Sequence, residues 1–416
     1  MVRMRQPVGR YRLVMLRAGA LGVLAWALLT ACHPASAPLL LPSGELPTQL
    51  SEWNLLAVTR GQLQISAVAL VYDLNTPLFS DYALKMRTVW VPDGASIKRS
   101  ANADAEPGAL EFPVGTVLTK TFYYFRPGMS RLGEPRSGAA LSAAQPRNGH
   151  LDLAQVHLLE TRVLVHQKAG WQAAAYVWDE DQQDAVIAPG GRLLQPEFEH
   201  PELHRRVRAE YLVPDRSQCA NCHARNHTVK LLQPLGPRLD NLATRQVDKH
   251  RGHSGKLSRD APQLARWRER GWLSATTDPA QPLTPLARWD DASAPLAARA
   301  IAYLDVNCGH CHNTTGAADT SGLYLDRRSL TTAPQGVCKA PVAAGKGAGD
   351  LAYDVVPGRA AESILLLRMQ SDDPGVMMPE LGRSLAHLQG VRLIRDWINS
   401  LAGGCPAPLS HRLHAA

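Results

Sequence analysis

No acidic residue precedes Glu45, no apolar run reaches the length of a bilayer, and methionine is missing altogether between Met129 and Met369. Each absence excludes something. Without acids, the leading segment carries only the positive charge of Arg3, Arg5, Arg10, Arg12 and Arg17 ahead of the apolar stretch Ala18 to Leu29. That is the layout of a secretory leader, and the stretch is too short for the roughly 20 residues of a spanning helix. No basic run interleaved with aromatics occurs, and removing the five leader arginines lowers the net charge from +8 to +3, which argues against a nucleic-acid partner. Cysteine is also scarce, with seven in 416 residues, so where the cysteines fall carries information.

The leader ends in Leu29, Thr30, Ala31 and Cys32, which fit a bacterial lipobox in which the cysteine thiol is lipidated. The expected mature chain begins at Cys32. Because His33 rather than an aspartate follows, the expected location is the periplasmic side of the outer membrane of a Gram-negative bacterium, held by the lipid anchor.

Four of the remaining cysteines form two copies of one pentad, "CANCH" (Cys219, Cys222, His223) and "CGHCH" (Cys308, Cys311, His312). Two cysteines one helical turn apart present two thiols along one edge, and the next residue directs an imidazole beneath it. That spacing matches covalent attachment of a c-type haem through thioether bonds, with the histidine ligating iron. A zinc site needs four ligands, and a thioredoxin-like pair has no need of the histidine. Two c-type haems are therefore expected, on Cys219/Cys222 with His223 and on Cys308/Cys311 with His312.

A low-spin electron carrier needs a sixth ligand. Met377 and Met378, in "DPGVMMPELG", follow His312 by 65 and 66 residues and precede a closing amphipathic helix. Opening helix, pentad, Met-Pro loop and closing helix together resemble the class I cytochrome c domain. In that family the methionine directly before proline is commonly the ligand, which implies Met378, with Met377 as the alternative. For the first haem no sixth ligand stands out. His227, His250, His253, Met86 and Met129 are candidates, and Asp240 and Asp248 are the nearby acids. After attachment and lipidation, Cys338 and Cys405 remain, an even remainder that reads as a disulfide in an oxidising compartment, against two free thiols.

Hydrophobic patterning divides the chain into a signal peptide (1–31), a proline-rich linker (32–47), a β-rich domain (48–195), a first haem domain (196–290), a class I-like second haem domain (291–405) and a tail (406–416). "GTVLTKTFYYF" and "ETRVLVHQKAGWQAAAYVWD" read as strands, the second as a pair about a turn at Ala169 and Gly170, with Trp90, Trp171 and Trp178 as core or sheet-face residues. "APQLARWRERGWL" reads as a helix, as does the segment opening with Ser293 as N-cap and Pro295 in its first turn. Val391, Ile394, Ile398 and Leu401 form an apolar stripe. The expected fold is multidomain, an N-terminal antiparallel β-rich domain followed by mainly α-helical c-type cytochrome domains.

"FSDYALK", "FPVGTVLTKTFYY", "YLVPDRSQCANCH", "PLGPRLDNL", "ARAIAYLDVNCGHCHNTTGAADTSGLYLD", "VPGRAAESILLLRM" and "MMPELGR" resemble a family of bacterial dihaem c-type cytochromes, exported or lipoprotein, over nearly all of the mature chain. The resemblance implies that the β-rich and haem segments form one architecture. The expected function is electron transfer to and from other redox proteins. The alternative is a dihaem oxidoreductase of peroxidase type with an open distal position at the first haem. Spacing of the pentads by only 89 residues, with a β-domain ahead of them, departs from the peroxidase layout.

Overall fold

The β-branched and aromatic alternation of Val117–Phe125 places every second side chain on the same side of an extended chain, so it can bury both faces only in the middle of a sheet. In the computed structural model it does so as β7 of a six-stranded antiparallel sheet ordered β11-β10-β9-β7-β4-β3. The other strands of that sheet are β3 (Leu70–Tyr72), β4 (Leu84–Trp90), β9 (Val156–Gln167), β10 (Gly170–Trp178) and β11 (Ala185–Ile187). The structure describes residues 37–38, 44–101, 106–129, 150–224, 226–243, 262–273, 284–332, 336–342 and 345–407, and all but Ala37 belong to one compact unit, Pro38–Ala416.

One face of the sheet carries Met86, Trp90, Val117, Val163, Val165, Ala174, Tyr176 and Trp178. It packs on a three-stranded sheet formed by β1 (Leu56–Thr59), β2 (Gln62–Ile65) and β8 (His150–Asp152). Buried threonine hydroxyls on this face satisfy one another in pairs, Thr88 with Thr119 at 2.6 Å and Thr121 with Thr161 at 2.9 Å.

The opposite face meets the rest of the chain. Val89, Leu118, Leu164 and Ala173 share a core with Leu239 and Leu242 of α2 (Leu239–Leu242), with Leu264 and Trp267 of α3 (Pro262–Glu269), and with Trp272. Phe122, Ala175 and Val177 share another with Phe198, Tyr211 and Val213, which lie on β13 (Glu197–Glu199) and β15 (Tyr211–Val213). β15 pairs with β12 (Arg192–Leu194), and β13 with β14 (Arg206–Arg208). A fourth core joins α4 (Leu296–Leu304), α6 (Ile364–Gln370) and α7 (Leu388–Ser400), α5 (Arg327–Thr332) contributing Leu330.

The expectation of mainly α-helical cytochrome domains is overturned. The chain is 24% helical and 26% strand. Among the described residues there are seven α-helices, the longest α7 with 13 residues, and strands continue past residue 195 as β13, β14 and β15. The cause lies in the punctuation. Pro196, Pro201, Pro214, Pro234, Gly236, Pro237, Gly316, Gly322, Gly336, Pro357, Gly358, Pro374 and Pro379 recur faster than a long helix allows, since proline removes a ladder donor and glycine carries the highest backbone entropy. These residues build loops instead.

Local details also differ. α4 starts directly after Pro295, while the Ser293 hydroxyl is engaged by the Asp291 carboxylate at 2.6 Å and caps nothing. Val391, Ile394 and Ile398 of α7 are buried, with Leu401 packed beside them. No helix among the described residues is long and apolar enough to cross a membrane.

Candidate functional site

The first pentad lies on α1 (Arg216–His223), whose start is fixed by a capping box. Asp215 accepts from the Gln218 backbone N–H at 2.8 Å, and the Gln218 side chain returns to the Asp215 N–H at 3.0 Å. One turn later come Cys219 and Cys222, then His223. The chain immediately doubles back, and Gln233 binds His223 twice. Its N–H donates to the His223 carbonyl at 2.9 Å, and its own carbonyl accepts from the ring Nδ1 at 2.8 Å.

The second pentad leaves α4 through a π-helical turn, Asp305–Gly309, a local widening often found at functional sites. His312 is held in the same fashion as His223. Leu325 N–H donates to its carbonyl at 2.8 Å, and Nδ1 donates to the Leu323 carbonyl at 3.1 Å. In both motifs Nδ1 carries the proton, so Nε2 keeps the lone pair that a metal requires. Burial pushes both imidazoles down, which keeps them neutral. Gly309 is required here because a Cβ would come within 2.8 Å of the Asp326 Cα.

The two motifs meet. The Sγ atoms of Cys222 and Cys311 and a ring nitrogen of His310 all lie within 4.8 Å of one another, and Cys311 Sγ is 3.6 Å from the Asn221 carbonyl. Contact with Cys311 and His310 pulls the Cys222 thiol down, and the same contact raises Cys311. Burial pushes Cys308 up to about 12 and Cys219 upward. None of the four pentad cysteines is in a disulfide, whereas Cys338 and Cys405 form one with a Cα–Cα distance of 5.1 Å.

A cavity of about 1060 Å³ opens between the sheet and these loops, at the upper end of the range for small-molecule sites. Cys219, Cys222, His223, Cys308, His310 and Met378 line it. Met377 is buried off the cavity. On the sheet side the wall is apolar at Leu118, Leu164 and Ala173, then cationic. Arg87, Lys120 and Arg162 stand directly opposite one another across β4, β7 and β9. Like charges in register destabilise a sheet, and the compensation is incomplete. Arg87 Nη1 reaches Asp73 at 3.3 Å and Arg162 is clamped by Glu160 at 2.6 Å, but the buried Arg87 Nη2 has no partner among the described residues. Lys120 sits 4.8 Å above the Phe122 ring, and burial among the arginines drives its pKa well below normal. Such a wall suits a ligand with carboxylates. Cys311 and His312 do not line the cavity; three pentad thiols, the His223 imidazole, a thioether and a cationic seat face it, a donor set that suits a tetrapyrrole carrying propionates at the first pentad.

Other candidate residues fall elsewhere. Met86 is fully buried on the far face of the sheet, and Met129 is exposed. His227 is exposed and off the cavity, its Nδ1 bonded to the Thr315 carbonyl at 3.2 Å and 3.6 Å from Asp319. Asp240 is buried and held by Arg238 at 3.1 Å and Arg327 at 2.8 Å, and Arg238 continues to Asp305 at 2.6 Å, so it ties the two motif segments together. Cys32, Asp248, His250 and His253 lie outside the described residues.

The structure adds cavity residues outside both motifs, Arg87, Lys120, Arg162, His166 and His387, and gives a place in the cavity to His310, a spacer position of the second pentad. The legible trace was in β9, where Glu160, Arg162, Leu164 and His166 alternate on one face, polar residues at positions that an ordinary core would fill with apolar ones. Trp171, expected on a sheet face, lies there and lines the cavity, while Trp90 and Trp178 are in the core. Comparison with family models, with curated proteins and with solved structures finds no match to this chain.

Proposed function

We propose that the chain is an exported dihaem c-type cytochrome that relays electrons between periplasmic redox proteins, anchored through Cys32 on the periplasmic side of the outer membrane. The observation that carries this reading is the meeting of the two pentads, with Cys222 and Cys311 sulfurs within 4.8 Å beside one cavity. Haem, when bound, supplies a one-electron couple at iron. The chain does the rest. Cys219 and Cys222 would hold one group and Cys308 and Cys311 the other, with the Cys222 and Cys311 sulfurs close together. His223 and His312 present neutral Nε2 atoms, fixed in direction by the Gln233 and Leu323 carbonyls. Met378 offers a thioether from the opposite loop, and the Arg87–Lys120–Arg162 band neutralises carboxylates.

Denatured protein should keep haem staining on a gel, and a pyridine assay should give two haems per chain. Replacing Cys308 and Cys311 together by serine should halve that value, while Cys32→Ser should release the protein from the membrane fraction. Reduced protein should pass electrons to another c-type cytochrome and turn over peroxide no faster than free haem. The Cys222, His310 and Cys311 cluster also favours a second reading, a thiolate-imidazole metal site. Stoichiometric zinc removable by chelator, with no covalent haem, would establish that reading in place of the first.

A further inference from the structure

The first pentad lacks an evident partner ligand in its own segment, yet the sheet places an imidazole in the same cavity. His166 lies on β9, on the face that also carries Leu164 and Arg162, and it lines the cavity with Cys219 and His223. Its ring is fixed on two sides. Nδ1 donates to the Phe112 carbonyl at 2.8 Å, and the imidazole lies flat on Trp171, centroids 4.7 Å apart and planes 7° from parallel. Its backbone is fixed too, N–H to the Thr116 carbonyl at 2.9 Å and carbonyl to the Gly115 N–H at 2.6 Å.

The tie from Nδ1 to a backbone carbonyl is the one that orients His223 and His312. It leaves Nε2 as the lone-pair nitrogen, and a side chain locked by packing and hydrogen bonding on a sheet is organised in advance for ligation. Among the described residues, the other imidazoles that line the cavity beside His223 are engaged elsewhere. His310 belongs to the contact between the pentads. His387 stacks on Phe79 at 4.2 Å and bonds the Tyr303 hydroxyl at 3.0 Å, in the second-pentad segment.

Resting on the haem reading above, we infer that His166 is the second axial ligand of the iron carried by His223, so that the β-sheet supplies half of the first haem's ligation. Two imidazoles close that iron to small oxidants and give it a lower potential than an iron with a thioether ligand. An electron accepted there would pass downhill to the group held by the second pentad. The β-rich segment thereby acquires a redox role of its own.

The test uses the full holoprotein. Near-infrared magnetic circular dichroism of the oxidised protein should show one bis-imidazole haem and one imidazole-thioether haem. His166→Ala should retain two covalent haems but turn half of the haem high-spin, bind one carbon monoxide per chain when reduced where wild type binds none, and regain low spin on adding imidazole. Should this variant not accumulate, the paired His250→Ala/His253→Ala variant decides, because the bis-imidazole signature must survive in it. The inference is overturned if wild type lacks that signature, if it disappears with His250 and His253, or if His166→Ala leaves both haems low-spin and inert to carbon monoxide. Fewer than two haems on wild type would sink the dihaem reading itself and this inference with it, which the pyridine assay registers separately.

Discussion

Asp81 accepts a hydrogen bond from the Ser384 backbone N–H at 2.7 Å across 303 positions of sequence, and its carboxylate also takes the Leu385 N–H at 2.8 Å. This contact fastens the sheet's leading strap to the loop that carries Met378. The strap is "FSDYALK", and each of its conspicuous residues has a partner in the second-pentad segment. Phe79 N–H donates to Asn307 at 2.8 Å and its ring stacks on His387, while the Tyr82 hydroxyl donates to the Ala386 carbonyl at 3.1 Å and accepts from Leu388 N–H at 3.0 Å. Asp81 and Tyr82 adopt φ of 46° and 60°, the left-handed region that is strained for residues with a Cβ.

Replacing Asp81 by alanine leaves two half-buried N–H groups without their acceptor. Hydrogen bonds to a charged group contribute about 1.5–3 kcal/mol each, so a loss of roughly 3 kcal/mol is expected after partial rehydration. Asp81→Asn, which keeps an acceptor oxygen, should lose less. Urea denaturation of the two variants measures the order, and equal losses would show that the oxygen acceptor is not what matters.

The long range of that contact explains what the sequence could and could not disclose. The β9–β10 hairpin is legible because alternation is a local property, but its turn falls one residue earlier than Ala169 and Gly170, at Lys168 and Ala169, with Gln167 paired to Gly170. The pentads were readable because thiol spacing along one turn is local. The α7 stripe was readable by its period. His166 was not, because nothing near it names Phe112, 54 positions earlier, as the acceptor that orients its ring. The helical expectation failed for a related reason. Each helical stretch shows as a local period, whereas the prolines and glycines between them act on the chain as a whole by laying the loops that enclose the cavity.

His387 should make stability fall in acid. Burial beside Tyr303, Tyr82, Lys85, Arg383 and Arg392 pushes its pKa from 6.5 down to about 3. Between those values the unfolded chain binds a proton that the folded chain refuses, so stability is present above pH 6.5 and declines as pH falls toward 3, by up to about 1.4 kcal/mol per pH unit. His387→Asn should be less stable at pH 7 and show a shallower decline between pH 6.5 and 4. Parallel pH profiles for the two proteins would remove His387 as the cause.

The Cys338–Cys405 disulfide spans 67 positions and encloses α6, the Met378 loop and α7. In the chain-entropy account a loop of this length contributes about 4 kcal/mol by restricting the unfolded state. Replacing both cysteines by serine should therefore lower the urea midpoint by a corresponding amount while the haem content stays at two per chain. A fall in haem content with no change in midpoint would mean that the bridge serves assembly rather than stability.

On the proposed dihaem reading, Met378→Ala should lower one reduction potential and leave the other in place. The loop is braced from both ends: Met378 N–H donates to the Arg368 carbonyl at 3.0 Å, and its own carbonyl accepts from Arg383 Nε at 3.1 Å and Nη2 at 2.9 Å. Its side chain lines the cavity, while Met377 is turned into the protein with its N–H on the Asp373 carbonyl at 2.8 Å. A thioether opposite histidine favours Fe(II), and axial ligation commands a span of roughly 0.8 V across haem proteins. Loss of the sulfur should therefore shift a single redox wave downward by on the order of 100 mV, with water or a nitrogen ligand in its place. Met377→Ala should change stability and leave both waves where they are. If Met377→Ala moves the wave and Met378→Ala does not, the ligand is the other methionine and the loop must turn over to deliver it. If neither moves it, the sixth position of the second haem is filled from outside this loop.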